Sequence, residues 1–118
     1  MTKTLSMTSF KQGDLVLVKF AFTEGIGFKK RPALVVSSNE YHKSRNEIVI
    51  AAVTSNMDRE LVGDTRIKEW KKANLLHPSV VTGILQTMKY DRIERKLGTL
   101  MSEDFQRVQE NLKCALSL

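Results

Sequence analysis

Short apolar runs rich in β-forming residues, separated by polar or glycine-containing connectors, most constrain the fold of this chain. Three of them, LVLVKFAF, ALVVS and EIVIAAVTS, occupy residues 15–22, 33–37 and 47–55. Their length and composition are typical of strands, and the first is expected to be buried on both faces. Weaker strands are predicted over residues 61–67, 79–81, 84–88 and 93–100. This pattern favours a small antiparallel β-barrel or twisted sheet over alternating βαβ units.

The connectors hold the least regular parts of the pattern. Residues 23–30 contain two glycines and predict a loop that can adopt unusual backbone angles. Pro32 follows this loop and favours extended geometry at Arg31. Residues 38–46 are polar, and residues 68–78 are basic and irregular. Polar connectors run over the surface, so an exposed position is expected for residues 38–46.

The last segment of the chain predicts an amphipathic helix packed on the sheet. Ser102 is predicted as its N-cap, with Glu103 and Asp104 in the first turn, where the helix dipole favours acidic residues. Apolar residues then recur at helical spacing, namely Phe105, Val108, Leu112, Ala115 and Leu116. The fold class predicted from these elements is mainly β (α+β), with the α-helix at the C-terminus.

The size of the chain predicts one domain. With 118 residues, 42% of them hydrophobic, it can bury a single core without staples. We expect that domain over residues 13–118, after a partly flexible N-terminal segment over residues 1–12. No apolar run approaches the roughly 20 residues that span a bilayer, so no membrane association and a cytoplasmic location are expected. One cysteine and two histidines are too few for a disulfide or a Cys/His zinc site, and neither metal nor cofactor is expected.

The net charge is unevenly distributed along the chain. Lys and Arg number 19 against 13 Asp and Glu, a net charge of +6. Residues 102–118 carry two basic and three acidic side chains, so residues 1–101 carry +7. Basic residues gather at 29–31, 66–72 and 89–96. They are candidate phosphate contacts, with a solvated basic surface as the alternative.

Few residues match a known catalytic constellation. His42 and His77 could share general acid and base roles, but their spacing does not pair them, and solvated side chains are expected in their polar connectors. Cys114 is predicted as a small buried hydrophobe of the helix rather than a nucleophile. Trp70 can stack a base or anchor its irregular loop to the core.

One combination of motifs is more specific than these single residues. The segment KKRPALVV follows the first strand and its glycine-containing loop, and VTSN closes the third strand. In this combination the sequence resembles the MazF/PemK family of toxin ribonucleases. The matching stretches are GDLVLVKFAFTEGIGFKKRPALVVS at 13–37, IVIAAVTSN at 48–56, HPSVV at 77–81 and RKLGTLMSEDF at 95–105.

The resemblance implies a compact SH3-like β-barrel with a C-terminal helix, usually as a homodimer. It also implies metal-independent, sequence-selective cleavage of single-stranded RNA, including mRNA. We expect 2′,3′-cyclic phosphate and 5′-hydroxyl ends, because the RNA's own 2′-hydroxyl would be the nucleophile. The implied partner is a small antitoxin whose acidic tail blocks the RNA groove.

The resemblance assigns catalysis to Arg31 and Thr54. An arginine can grip two phosphate oxygens and stabilise the charge of the phosphorane, while a threonine hydroxyl can hold a phosphate oxygen or the nucleophile. Without the resemblance, Arg31 would be interpreted as a surface residue and Thr54 as an ordinary β-branched strand residue. The residues expected to contact RNA are Glu24, Lys29, Lys30, Ser55, Ser79, Gln86 and Thr87.

Two other functions fit the same barrel, since a fold does not fix a function. A gyrase-poisoning toxin of the CcdB type would need no arginine and threonine at these positions and would depend on C-terminal residues. A non-catalytic RNA-binding module would bind RNA with a steep salt dependence and leave it intact.

Overall fold

The computed structural model describes residues 10–21 and 27–118, and it contains one antiparallel sheet and two α-helices. The strands are β1 (Asp14–Ala21), β2 (Phe28–Val35), β3 (Glu47–Thr54), β4 (Thr65–Arg66), β5 (Val80–Lys89) and β6 (Ile93–Thr99), and the helices are α1 (Asn39–Arg45) and α2 (Ser102–Leu116). The sheet order is β4-β5-β3-β2-β1-β6. The mainly-β class with a C-terminal helix is confirmed. In the described part of the chain the sheet stays open, with β4 and β6 at its edges.

The central strands are buried on both faces, as predicted for β1. Side chains alternate between two apolar clusters because successive residues of a strand point to opposite faces. One cluster packs against α2 and contains Leu15, Leu34, Ala51, Val53, Ile67, Ala73, Val81, Leu100 and Val108. The other contains Val16, Val18, Ala33, Val35, Ile48, Ile50, Met88 and Ile93.

The second strand begins earlier than the sequence predicts. β2 starts at Phe28, so Lys29 and Lys30 belong to a strand and not to the predicted loop over 23–30. They pair with Phe20 and Lys19 of β1, and such pairing satisfies backbone groups whatever the side chains are. Residues 22–26 lie outside the described part of the chain, as do residues 1–9 of the predicted flexible segment.

The predicted polar connector over 38–46 contains a helix. The Ser38 hydroxyl accepts a hydrogen bond from the Tyr41 N–H at 3.1 Å, which caps the start of α1. Asn46 ends the helix in the left-handed conformation with a φ of 58°. His42, expected to be solvated, is 1% exposed. The expectation was wrong because this segment forms a seven-residue helix that buries His42.

The two strands predicted over 79–81 and 84–88 form one strand, β5. Thr82 does not break it, because β3 and β5 change register between Ala51 and Val53. The Thr82 hydroxyl then donates to the Ala52 carbonyl at 2.7 Å. The strand predicted over 61–67 is reduced to the two residues of β4.

The C-terminal helix has the predicted position but a different cap. Met101 is the N-cap residue and makes no side-chain cap hydrogen bond, while Ser102 lies inside the helix. Val108 is buried, but Cys114, Ala115 and Leu116 are exposed. The prediction of a buried Cys114 is therefore wrong. Neither described helix is long and apolar enough to cross a membrane.

Candidate active site

A cleft opens where β2 and β3 separate, and Pro32 explains why they do. The ladder between the two strands runs from Val35 only to Ala33, which pairs with Ala52. The Val36 N–H donates to the Val49 carbonyl at 3.0 Å, so alternate residues of β2, including Pro32, direct their backbone groups toward β3. Proline has no N–H to donate. The ladder therefore ends at Ala33, the residue next to Pro32.

The end of the ladder brings Arg31 and Thr54 together. Arg31 and Thr54 each lie two residues beyond the last pair of the ladder, Ala33 with Ala52. Residues opposite each other in an antiparallel pair present their side chains on the same face. Both residues line one cavity of about 350 Å³. The structure thus brings together the two residues that the resemblance assigns to catalysis.

The rest of the cavity combines apolar walls with a polar rim. Its apolar lining consists of Leu17, Pro32, Val53, Leu75, Leu76 and Leu97, and its other polar lining residues are Ser55, Asn74, His77, Ser79 and Arg95. Ser55 and Ser79, two of the expected RNA contacts, are therefore in the cavity. We call this cavity the Arg31 cleft.

The charges of the Arg31 cleft are positive. Arg31 projects from β2 and Arg95 from β6, and no carboxylate is among the cleft-lining residues that the structure describes. Within residues 10–21 and 27–118, neither arginine forms an ion pair. Two guanidinium groups at one cleft suit a phosphate group, whose oxygens they can bind in pairs.

The Thr54 hydroxyl has a defined orientation at the end of β3. Its Oγ1 accepts a hydrogen bond from the Asn56 N–H at 3.1 Å. A hydroxyl that accepts one hydrogen bond still has a proton to donate. Thr54 can therefore donate to an anionic oxygen bound by Arg31.

His77 enters the same cleft from the segment that precedes β5. Its side chain is exposed, and its carbonyl accepts a hydrogen bond from the Ser79 hydroxyl at 2.8 Å. Pro78 restricts the backbone of His77 to extended geometry. In the sequence, His77 is a catalytic candidate only as the partner of His42. His42 is buried, and its Nε2 lies 2.7 Å from Ser37 Oγ in a hydrogen bond.

Burial lowers the pKa of His42 below its ordinary value, which favours the neutral imidazole. A neutral, buried ring that bonds to Ser37 serves the packing of α1 on the sheet. The two histidines therefore do not form a catalytic pair.

Comparison with known families identifies the chain. The family model described as PemK-like, MazF-like toxin of type II toxin-antitoxin system matches residues 11–116. The chain belongs to this toxin family. A search among curated proteins found no match.

Solved structures of low sequence identity share the fold of this family member. An endoribonuclease from Mycobacterial species is 18% identical, with a TM-score of 0.72 and coverage of 95% of each chain. An endoribonuclease in complex with its cognate antitoxin, also from Mycobacterial species, is 18% identical with a TM-score of 0.73, covering 92% of this chain and 95% of that one. MazE-MazF from Deinococcus radiodurans is 20% identical with a TM-score of 0.75, covering 93% of this chain and 98% of that one.

Some expected RNA contacts of this PemK-like, MazF-like chain lie outside the cleft. Gln86 and Thr87 line a separate polar hollow of β5. Lys29 is exposed on β2, and Lys30 donates to the Glu94 carboxylate at 2.8 Å. The hydrogen bond from Lys30 lowers the pKa of Glu94. Glu24 lies outside the described residues.

The segment over 68–78 forms one wall of the cleft and is held from three sides. Trp70 packs against the core cluster below α2, with the Lys71 ammonium 5.5 Å from its ring centre, which agrees with an anchoring role. The Asn74 side chain donates to the Leu97 carbonyl at 2.7 Å. The Asp104 carboxylate binds the N–H groups of Lys68 and Glu69 at 3.1 and 2.9 Å.

The described residues contain no group of three or more His, Cys, Asp and Glu side chains that could hold a metal ion.

Proposed function

We propose that this toxin is a sequence-selective endoribonuclease that cleaves single-stranded RNA, including cytoplasmic mRNA, without a metal ion. One observation carries the proposal: Arg31 and Thr54, from different strands, line one cleft whose described charges are both arginines. Membership of the toxin family supports it. So do the names of solved structures with the same fold, which are called endoribonucleases.

The reaction begins with attack of a 2′-hydroxyl on the adjacent phosphorus. The bond to the 5′-oxygen breaks, leaving a 2′,3′-cyclic phosphate and a 5′-hydroxyl. Arg31 binds two phosphate oxygens with its planar fork and stabilises the additional negative charge of the phosphorane. Thr54 donates a hydrogen bond that keeps the reacting groups aligned.

The surroundings of the cleft provide the binding surface for the RNA chain. Arg95 lines the cleft itself, and Lys29 is exposed farther along β2. These cations contact phosphates and contribute affinity without sequence preference. Ser55 is exposed at the rim and can exchange hydrogen bonds with bases or sugars. Ser79 lines the cleft but is buried, and its hydroxyl donates to the His77 carbonyl.

The partner we propose is an antitoxin with an acidic segment, and the working form is a homodimer. The solved structures of the same fold include complexes named for an antitoxin. A carboxylate-rich segment would pair with the two arginines of the cleft and exclude RNA. Such a complex depends on charge and should dissociate as the salt concentration rises.

RNA cleavage in the presence of EDTA tests this function. Purified protein incubated with a long single-stranded RNA should give discrete fragments whose 5′-hydroxyl ends accept phosphate from a polynucleotide kinase without prior phosphatase treatment. Arg31→Ala should abolish cleavage. The matched control is Arg45→Ala, which removes an exposed arginine of α1 outside the cleft and should leave cleavage unchanged.

Intact RNA with the wild-type protein, or full activity in Arg31→Ala, would contradict the proposal. Inhibition of DNA gyrase supercoiling with RNA left intact would instead support the gyrase-poisoning alternative. Salt-sensitive RNA binding without any cleavage would support the non-catalytic RNA-binding module.

A further inference from the structure

We infer that His77 is the catalytic acid that protonates the leaving 5′-oxygen in the Arg31 cleft. This inference rests on the proposed endoribonuclease function and adds the proton transfer that Arg31 and Thr54 cannot supply.

The position of His77 is fixed by its neighbours rather than by its own side chain. Thr54 pairs with Val80 at the start of β5, so the residues just before Val80 must lie close to the Thr54 end of β3. The hydrogen bond from the Ser79 hydroxyl to the His77 carbonyl, 2.8 Å long, fixes the intervening turn. His77 is one of the residues that line the cleft with Arg31 and Thr54, and its exposure leaves it open to substrate and solvent.

The chemistry of the cleavage step needs a proton donor at this place. As the bond between phosphorus and the 5′-oxygen breaks, that oxygen becomes an alkoxide, the strongest base that the reaction produces. A positioned acid that donates to it typically accelerates such a step by about 10²- to 10⁴-fold. The two arginines cannot fill this role because a guanidinium keeps its proton in proteins.

The other polar groups of the cleft are very weak acids and do not release a proton near neutral pH. Its described polar residues besides the arginines and His77 carry hydroxyl or amide groups. Imidazole is the side chain type whose ordinary titration range includes neutral pH. Among the described residues of the cleft, His77 is therefore the one group suited to proton transfer.

The 2′-oxygen forms a bond to phosphorus and loses its proton to water. The electron pair of the bond between phosphorus and the 5′-oxygen moves to that oxygen, which takes a proton from the His77 imidazolium. The neutral imidazole then takes a proton from solvent, which restores the starting state.

A sulfur-substituted substrate separates acid catalysis from any other role of His77. The probe is a short RNA that contains one mapped cleavage site, prepared with either oxygen or sulfur at the 5′-bridging position of the cleaved bond. Sulfur leaves as a thiolate, which needs no proton, because a thiol is far more acidic than an alcohol. His77→Ala and His77→Gln are compared with wild type on both substrates. Arg31→Ala is also measured, and Lys43→Ala serves as a control at an exposed residue of α1.

The expected results differ between the two substrates. On the oxygen substrate, both His77 variants should lower kcat by about 10²-fold or more with little change in KM. On the sulfur substrate they should cleave at about the wild-type rate. Arg31→Ala should stay slow on both substrates, because the phosphorane carries negative charge in either case. Lys43→Ala should match wild type throughout.

If both His77 variants cleave the oxygen substrate at the wild-type rate, the assignment of His77 is wrong, while the endoribonuclease function is unaffected. An equal slowing of both variants on oxygen and sulfur substrates would also overturn the assignment, since a structural or base-stacking role predicts that result. Circular dichroism of the variants shows whether they are folded, and His77→Gln keeps a polar side chain of similar reach. Absence of cleavage by the wild-type protein would instead overturn the proposed function itself.

Discussion

Arg31 depends on the residue that follows it. Pro32 removes the N–H that β3 would otherwise accept, so the ladder between the two strands ends there and a cleft lined by Arg31 opens. Thr54, the last residue of β3, stands opposite. The RP dipeptide is therefore a structural device as well as a motif, because the proline ends the ladder beside the cleft that the arginine lines.

Replacing Arg31 with lysine tests whether the planar fork, and not the charge alone, carries the chemistry. Arg31→Lys keeps the positive charge but loses the two parallel hydrogen bonds to phosphate oxygens. We expect kcat for RNA cleavage to fall by about 10²-fold while RNA affinity changes little. Single-turnover cleavage and binding to 2′-O-methyl RNA, which lacks the nucleophile, measure the two effects separately. Full activity of the lysine variant would show that a point charge is sufficient. Arg45→Lys is the matched control.

The sequence predicted the proposed catalytic pair but not the other residues that surround it in the cleft. Arg31 and Thr54 stand in motifs that can be recognised along the chain. His77 could not be assigned, because its nearness to Thr54 depends on the pairing of β3 with β5. The burial of His42 was also missed, because a polar segment gives no sign that one short helix points a single ring inward.

Among the elements, the segment over 68–78 has the least regular structure, yet it forms one wall of the Arg31 cleft. It contributes Asn74, Leu75 and His77 to the walls, although it forms no strand or α-helix. Its sequence predicts an irregular stretch but not the contacts that hold it. Those contacts come from α2 and β6, which are distant in sequence.

Asp104 is the anchor on α2, and its removal should loosen this segment. The side chain is 2% exposed and accepts hydrogen bonds from Lys68, Glu69 and Arg107. Burial opposes its ionisation, but the two backbone N–H groups and Arg107 outweigh that effect and lower the pKa of Asp104. Asp104→Asn should reduce the free energy of unfolding by about 2–4 kcal/mol at pH 7. Urea denaturation measures this loss, with Glu103→Gln as an exposed control from the same helical turn.

The pH dependence of the same variant follows from the direction of the shift. The lowered folded-state pKa means that the carboxylate stabilises the protein above the pKa of an unfolded aspartate, about 3.9. This contribution is lost as the pH falls through the folded-state pKa. The difference in unfolding free energy between wild type and Asp104→Asn should therefore be largest near neutral pH and shrink below about pH 4. A difference that stays constant at every pH would contradict a role for the charge.

Gly98 is the anchor on β6, because it allows the loop backbone to approach the strand. A Cβ built at Gly98 would clash with the Ala73 carbonyl oxygen, so that backbone must move in Gly98→Ala. We expect a loss of about 1–3 kcal/mol in unfolding free energy. RNA cleavage should fall with it, because the displaced segment carries His77. Gly83→Ala, whose Cβ would meet its nearest atoms at 3.3 Å, should have a smaller effect on stability. Thermal denaturation and cleavage assays of both variants decide this.

For the whole molecule, the β-rich class followed from the sequence while the shape of the sheet did not. Apolar runs with β-forming residues mark β1 and β3 because both are buried on two faces. Whether edge strands meet and close a barrel depends on pairings between distant residues, which no local pattern encodes. The same limit applies to β5, where two predicted strands are joined through a change of register against β3.

Part of the excess positive charge of the molecule lies at the Arg31 cleft. The excess of +7 in residues 1–101 includes Arg31 and Arg95, which stand on different strands and meet at one cleft. A patch of this kind should dominate RNA affinity through release of counterions. It should equally attract the acidic segment that we propose for the antitoxin.

The salt dependence of RNA binding tests whether Arg95 belongs to this surface. The logarithm of the affinity for a 2′-O-methyl RNA should fall linearly with the logarithm of salt concentration, by about 0.7 for each phosphate contact. Arg95→Gln should reduce the magnitude of that slope by about 0.7 and weaken binding at low salt. Lys43→Gln, which removes one charge from exposed α1, should leave the slope unchanged. Arg95→Gln and Lys43→Gln each remove one positive charge, so a difference between their slopes depends on where the charge lies. Equal slopes for Arg95→Gln and wild type would show that the RNA binds elsewhere.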